Sequence, residues 1–286
     1  WRPETGSPYA KFYGSSKWAP HGFYKDKGSF KTFDFSRANL LRKYGEGWEA
    51  VLAELAHQRI RAWGLNTIAN WSDSAVYMKR RTPYTATFGS GGRTIEGSDG
   101  WWGKFPDPFS AEFEANTAKR AADQKKAGTA DDPWCIGYFV DNELSWGKDD
   151  RNLAVATLIS PADQPAKIAF RTWLEAKYKT VEALNAAWGT TFASWDAFLQ
   201  NTGKPAIKTG CTDLEDFHTR IAEKYFCAIR DALKAEAPDK LYLGCRIAWG
   251  VKSVYRAASK CCDVVSVNIY SRRPDKDLPE GSLDKP

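Results

Sequence analysis

The chain has 286 residues, enough to bury a sizeable core, and its 43% hydrophobic and 27% charged residues exclude disorder, collagen and coiled coil. The net charge of +6 is spread along the chain and comes with no nucleic-acid-binding motif, so we expect no nucleic-acid partner. Aromatic residues make up 14% of the chain, an excess that suits either an aromatic core or a surface that binds flat, half-polar ligands such as sugars.

The first half of the chain begins without a clear pattern and then alternates. Residues 1–45 lack a hydrophobic period and predict a long, ordered loop. Apolar residues at helical spacing predict a helix over 46–63, and NTIAN at 66–70 predicts a short strand. A second strand near 83–88 and a polar helix over 110–127 follow.

The middle of the chain carries one strongly apolar strand and a long helical stretch. CIGYFV at 135–140 predicts a buried strand, and residues 160–201 predict an all-helical insertion. Thr212 and Glu215 have the spacing of a capping box, which predicts the start of a helix that runs to about residue 237.

The last part predicts strands at 241–249 and 264–270, with a short helix at 252–260 between them and a loop from Arg272 onward. Strands that alternate with helices indicate a parallel α/β sheet, and chemistry at the strand ends favours a (β/α)₈ barrel. A doubly wound sheet is the alternative, but Gly-Ser-Gly-Gly at 89–92 does not open a helix as a phosphate turn would.

Glu143 is the candidate catalytic residue because it follows a buried strand directly, with Asn142 before it. A carboxylic acid at a rigid strand end can protonate a leaving glycosidic oxygen and later deprotonate water. The neighbouring amide can bind the sugar hydroxyl next to the reacting carbon. A carboxylate that only caps a helix or pairs with an arginine would occupy the same position.

Further polar and aromatic residues lie at or just beyond the predicted strand ends, where several rings together favour a carbohydrate cleft. The aromatic candidates are Trp71, Trp146, Trp249 and Tyr270. The polar candidates are Asn70, Asp73, Arg246 and Asn268. Asp73 could instead cap the helix that follows it.

Several segments resemble one family of enzymes, over about residues 10 to 271. The most specific are RAWGLNTIANWSD and DNELSWG, and GFYKDKGSFKTFDFSRANLLRKYGEGW and WLEAKYKTVEALNAAWGTTFASW support them. These segments resemble glycoside hydrolase family 50, the β-agarases. NAAWGTTF is also similar to the family 42 β-galactosidases, which share the barrel clan.

The resemblance implies a retaining (β/α)₈ glycosidase that cuts β-1,4 bonds of agarose and releases neoagaro-oligosaccharides. It implies Glu143 as the acid/base and Asn142 as its sugar-binding neighbour, and Asn70, Trp71 and Asp73 match a family motif near the cleft. It also implies an extracellular or periplasmic protein. The expected partner is agarose or a related galactan, with no membrane partner, since no apolar run approaches the ~20 residues of a span.

No cofactor or metal is expected, because the six cysteines form no C-x-x-C pair and only three histidines are present. The alternatives to an agarose-cleaving hydrolase are a β-galactosidase-like hydrolase and a barrel that binds carbohydrate without cutting it.

A retaining glycosidase needs a second carboxylate as nucleophile, which in this clan ends the seventh strand. Matched to the family, the predicted strands are strands two to six, so we expect residues 1–286 to form one incomplete barrel domain. The nucleophilic glutamate is then expected beyond Pro286, and Glu280, in a loop between proline and glycine, is a weak candidate.

Overall fold

The computed structural model describes residues 6–204, 206–207 and 211–276. Glu280 therefore lies outside the described residues. The chain divides into two compact units, Trp1–Tyr84 and Thr85–Pro286.

The first unit opens with a hairpin where the sequence predicted a loop. Strands β1 (Tyr13–Ser16) and β2 (Phe30–Phe33) pair antiparallel, and helix α1 (Phe35–Tyr44) follows, with the Asp34 carboxylate accepting from the Arg37 amide at its start. The expectation of a loop over residues 1–45 was wrong. These strands are short and bury no residue, and α1 buries only Ala38 and Leu41, so no hydrophobic period marks them.

The rest of the first unit follows the prediction more closely. Helix α2 (Trp48–Ala62) confirms the helix predicted at 46–63, and the four-residue helix α3 (Ser74–Tyr77) comes later. The strand predicted at 66–70 shortens to a single parallel bridge between Ile68 and Tyr84. Tyr84 is also the first residue of strand β3 (Tyr84–Phe88).

The second unit is organised around a sheet with the order β3-β4-β5. Strand β4 (Cys135–Val140) confirms the predicted buried strand, and it pairs parallel with β5 (Leu241–Tyr242). Past β5 the chain continues beside β4 with irregular backbone, and Ile247 forms a parallel bridge with Val267. The strand predicted at 241–249 is therefore shorter than expected, since Gly244 and Arg246 have φ angles of 78° and 52°. The strand predicted at 264–270 shortens to the single bridge at Val267.

The helices of the second unit confirm most of the predicted helical segments. The predicted polar helix is α4 (Ala111–Lys126), and the helical insertion comprises α6 (Pro165–Tyr178), α7 (Val181–Trp188) and α8 (Trp195–Gln200), preceded by α5 (Asn152–Leu158). The last two helices are α9 (Asp213–Glu236), which packs against α4, α5 and α10, and α10 (Lys252–Cys261). A disulfide between Cys227 and Cys261 joins α9 to α10.

The capping box predicted at the start of α9 does not form. Thr212 is the N-cap residue, but its backbone is already helical, with φ −93° and ψ −1°, and its side chain caps no amide. Its hydroxyl donates to Asp216 instead, at 3.1 Å, while Glu215 pairs with Arg151. A capping box requires an extended N-cap residue, which turns the hydroxyl toward the first free amides.

The fold is thus a mixed α/β arrangement with the β4–β5 pair parallel, as the alternation of strands and helices predicted. Among the described residues, no helix combines the length and the apolar character needed to cross a membrane.

Candidate active site

The candidate site lies where β4 ends, and it centres on Glu143. The strand stops at Val140, and Glu143 then lies only 5% exposed, with its amide donating to the Cys245 carbonyl at 3.2 Å. Its φ angle is 49°, in the left-handed region that a glutamate seldom occupies. Backbone of this kind has a conformational cost of about 1–3 kcal/mol and is found most often at functional sites.

Three side chains donate hydrogen bonds to the Glu143 carboxylate. Asn268 Nδ2 and Tyr270 Oη reach Oε1 at 2.7 Å and 2.5 Å, and Trp102 Nε1 reaches Oε2 at 3.2 Å. Two of these donors, Asn268 and Tyr270, were sequence candidates. The structure therefore brings both of them to the predicted acid.

These contacts act on the charge of Glu143 in opposite directions. Burial raises its pKa, but the hydrogen bonds from Tyr270, Asn268 and Trp102, together with the charge of Arg246, lower it, and the net effect is a lowered pKa. The bond to Glu143 in turn raises the pKa of Tyr270. The free protein therefore holds Glu143 as a carboxylate at neutral pH.

Asp141, two residues before Glu143, holds the same turn in place through its own carboxylate. Its Oδ1 accepts from the Ser90 amide at 2.8 Å, and its Oδ2 accepts from the hydroxyls of Ser90 and Tyr225, both at 2.6 Å. Asp141 also has a positive φ angle, 58°. Its three hydrogen bonds fix the backbone two residues before Glu143.

Asn142 has an unmet hydrogen-bonding capacity. Its Oδ1 is buried and accepts no hydrogen bond from any part of the chain that the structure describes. A buried carbonyl oxygen without a donor is unfavourable unless a ligand or water supplies one. Asn142 thus places an unsatisfied acceptor directly before Glu143.

The remaining candidates of the second unit differ in their surroundings. Trp249 is 51% exposed, as a stacking platform requires, and Arg246 lies over the ring of Phe139, with its guanidinium 5.7 Å from the ring centroid. Trp146 is completely buried against Phe105 and Phe226. The expectation that Trp146 faces a sugar is corrected, because its ring has no accessible surface.

Asn70, Trp71 and Asp73 belong to the first unit. The Asp73 carboxylate accepts from the Ala75 amide at 2.9 Å and so caps α3, which is the alternative that the sequence left open. Trp71 is 61% exposed, and both polar side-chain atoms of Asn70 are buried without a hydrogen bond among the described residues.

Sequence reasoning missed Trp102 and the network around Asp141. Trp102 lies in a Gly-rich stretch between predicted elements, and the only signal was the Trp101-Trp102 pair itself. Ser90 and Tyr225 are far from Asp141 along the chain, so no local pattern connects them. Within the described ranges, no three His, Cys, Asp or Glu side chains come together as metal ligands.

Comparison with known proteins shows which proteins this chain is similar to. Residues 117–283 match the family model of glycoside hydrolase 42, described as β-galactosidase. β-Agarase B of Vibrio sp. (strain JT0107) is 36% identical over 95% of this chain and 30% of its own length. β-Agarase A of the same strain is 35% identical over 82% of this chain and 25% of its own length.

A solved structure is similar to this chain as well. The structure of an exo-β-agarase superposes with a TM-score of 0.86 and 32% identity, covering 96% of this chain and 40% of its own. The chain thus spans less than half the length of each of these proteins. The resemblance to β-agarases inferred from the sequence motifs is confirmed.

Proposed function

Since the chain belongs to the glycoside hydrolases, with a family 42 model over more than half of it and one β-agarase similar along 95% of it, we propose that the whole protein is a retaining β-agarase. It cuts β-1,4 linkages of agarose or neoagaro-oligosaccharides in a (β/α)₈ barrel of which this chain supplies part. Glu143 is its general acid/base.

The observation that carries this proposal is the setting of Glu143. It is a nearly buried carboxylate at the end of a strand, held in left-handed backbone and bound by three donors. A helix cap or a simple ion pair requires none of these features. Backbone strain and desolvation together are typical of a group positioned for chemistry.

In the first step, protonated Glu143 gives its proton to the glycosidic oxygen, whose bond to the anomeric carbon breaks while a second carboxylate bonds to that carbon. In the second step, the Glu143 carboxylate takes a proton from water, and the water oxygen displaces the second carboxylate. Asn142 accepts from the hydroxyl beside the reacting carbon. A glutamate beyond Pro286 remains our prediction for the second carboxylate.

The lowered pKa of Glu143 suits the second step better than the first. A carboxylate is the form that activates water, whereas the acid form requires weaker donation to the same oxygens. We therefore propose that bound sugar replaces part of the hydrogen bonding seen in the free protein, which raises the pKa of Glu143 for the first step.

The test is Glu143→Gln in the full-length protein, with neoagaro-oligosaccharide as substrate. We expect kcat to fall by about two to four orders of magnitude while the oligosaccharide still binds, since general acid–base catalysis contributes about that much. Glu112→Gln on the exposed face of α4 is the matched control and keeps wild-type turnover. Unchanged turnover in Glu143→Gln would exclude the assignment.

Azide distinguishes an acid/base from a nucleophile. With an activated aryl glycoside, whose leaving group needs no proton, Glu143→Ala still forms the glycosyl-enzyme. Azide then attacks without a general base and restores turnover, with a glycosyl azide of retained configuration as product. Loss of turnover that azide does not restore would contradict the acid/base role.

The match to the β-galactosidase family model favours one second candidate, a hydrolase that removes single β-galactosyl residues. Parallel assays with agarose and a chromogenic β-galactoside separate the two. A barrel that binds agarose without cutting either substrate would contradict both.

We also propose an extracytoplasmic location, supported by the Cys227–Cys261 disulfide, because such bonds persist in oxidising compartments.

A further inference from the structure

Trp102, which donates to Oε2 of Glu143, lies in residues 93–107, which we call the tryptophan loop. This loop is well anchored. Thr94 and Pro106 form an antiparallel bridge at its base. The Ile95 amide donates to the Phe105 carbonyl at 2.8 Å, and the Asp107 amide to the Arg93 carbonyl at 2.8 Å. The base of the loop is therefore closed by backbone hydrogen bonds.

The body of the tryptophan loop is packed against the second unit. The Gly97 amide donates to Ser160 Oγ at 2.9 Å. Phe105 is 1% exposed, and its ring meets the buried ring of Trp146 at a centroid distance of 4.7 Å. The loop is thus part of the packed structure rather than a loose surface segment.

The tip of the loop rests on the segment that carries Glu143. The Trp101 amide donates to Ser145 Oγ at 3.2 Å. At Gly100, a Cβ atom would lie only 2.1 Å from that same Ser145 oxygen, so the backbone approaches as closely as glycine allows. This contact holds the backbone of the loop tip beside the segment that carries Glu143.

The two carboxylate oxygens of Glu143 are held differently. Oε1 accepts from both Asn268 and Tyr270, whereas Trp102 is the donor to Oε2 among the described residues. Trp102 is also 43% exposed. Among the described residues, Oε2 is therefore the oxygen with a single donor, and Oε1 is the oxygen with two.

We propose that Trp102 is a positioning residue that reserves Oε2 of Glu143 as the oxygen that exchanges a proton with the substrate. This inference rests on the proposed acid/base function of Glu143. In the free protein the indole N–H binds Oε2, and in the reactive complex the glycosidic oxygen takes the place of the indole.

The number and length of the hydrogen bonds distinguish the two oxygens, because Oε1 accepts two bonds of 2.7 Å and 2.5 Å and Oε2 accepts one of 3.2 Å. An indole N–H donates only, so a proton on Oε2 would face the Trp102 hydrogen, and the indole must give way to the substrate oxygen. The two shorter bonds, from Asn268 and Tyr270, hold Oε1 in place while Oε2 exchanges its donor. One oxygen thus orients the side chain and the other transfers the proton.

The test is Trp102→Phe in the full-length protein, which keeps an aromatic ring and removes the N–H. Loss of a donor to the carboxylate raises the pKa of Glu143, so the basic limb of the kcat/KM profile moves to higher pH, by about half to one unit. Trp101→Phe in the same loop is the matched control, and its basic limb stays at the wild-type pH. A basic limb unchanged in Trp102→Phe overturns the proposal.

Gly100→Ala provides a second test that keeps both tryptophans. The added methyl group displaces the loop tip from Ser145, so we expect the same upward shift of the basic limb, and no shift would count against the proposal. Glu143→Gln distinguishes a failure of this inference from a failure of the proposed acid/base function. If Glu143→Gln loses turnover while Trp102→Phe keeps the wild-type profile, only the role of Trp102 fails; if Glu143→Gln keeps turnover, the proposed function fails.

Discussion

At the residue scale, one short turn carries most of the candidate chemistry. Val140 ends β4, and within the next three residues Asp141 and Glu143 both take left-handed backbone while Asn142 keeps an unmet acceptor. The Asp141 side chain contacts Ser90 and Tyr225, whereas the Glu143 side chain contacts its own three donors. The turn depends on Asp141, because its carboxylate is what ties the strand end to the rest of the unit.

We therefore predict that Asp141→Asn lowers both stability and turnover. An amide replaces one carboxylate oxygen with a donor, so the Ser90 and Tyr225 hydroxyls lose a charged acceptor and can at best accept from the amide, and the loss amounts to about 1–3 kcal/mol of unfolding free energy. Chemical denaturation measures the first effect, and kcat on an agaro-oligosaccharide the second. Ser90→Ala, which removes one donor only, gives the smaller loss; equal losses in both variants would contradict the role of Asp141.

At the element scale, the ends of helices are held by side chains from other segments. Val251 is the N-cap residue of α10 and supplies no side-chain hydrogen bond. Instead Asp150 Oδ1 accepts from the Ser253 amide at 3.1 Å and also from the Ser253 hydroxyl. The segment just before α5 thereby caps a helix that lies about a hundred residues later in the chain.

We predict that Asp150→Ala destabilises the protein by about 1 kcal/mol, the usual value of a helix N-cap. The variant loses the bond to the Ser253 amide and the favourable negative charge at the helix start. Ser253→Ala keeps the amide bond and should lose less. Thermal unfolding of the two variants side by side measures the difference, and an Asp150→Ala variant no less stable than Ser253→Ala would disprove the cap.

The elements also show what the sequence could predict. Helices α2 and α9 and strand β4 were predictable from the spacing of their apolar residues, and α9 and β4 bury most of those residues. The hairpin of β1 and β2 buries no residue, so no local pattern reports it. Glu143 was predictable from its place after β4, whereas Trp102 depends on how the tryptophan loop folds onto Ser145, which is a tertiary event.

At the scale of the whole molecule, the long helix α9 of the second unit carries buried polar side chains. His218 on α9 is fully buried, and its Nδ1 accepts from the Leu153 amide at 3.3 Å, which fixes α9 against α5. Burial lowers the pKa of His218 to about 4, although the charges of Asp150 and Asp149 act to raise it. The imidazole is therefore neutral in the folded protein at pH values where a free histidine is charged.

This histidine predicts a loss of stability in weak acid. Between the unfolded pKa of 6.5 and the folded value of about 4, the unfolded chain binds the proton and the folded chain does not, so stability falls as the pH drops through that window. The full shift corresponds to about 3 kcal/mol. Urea denaturation at several pH values between 7 and 4 measures it.

His218→Gln is the control, because glutamine keeps an acceptor for the Leu153 amide and does not titrate. Carboxylates elsewhere contribute equally to both proteins, so the difference between the two pH profiles isolates His218. We expect the variant to show the flatter profile over this range, and parallel profiles would contradict the prediction.

The left-handed backbone at Glu143 also constrains how this position changes during evolution. Glycine, asparagine and aspartate adopt such a conformation more readily than glutamate, so conformational preference alone favours replacing it. The three hydrogen bonds to its carboxylate and selection for the proposed turnover oppose that drift. In descendants that come to bind polysaccharide without cutting it, position 143 should therefore be among the first to change, while Asp141, which supports the fold, is retained.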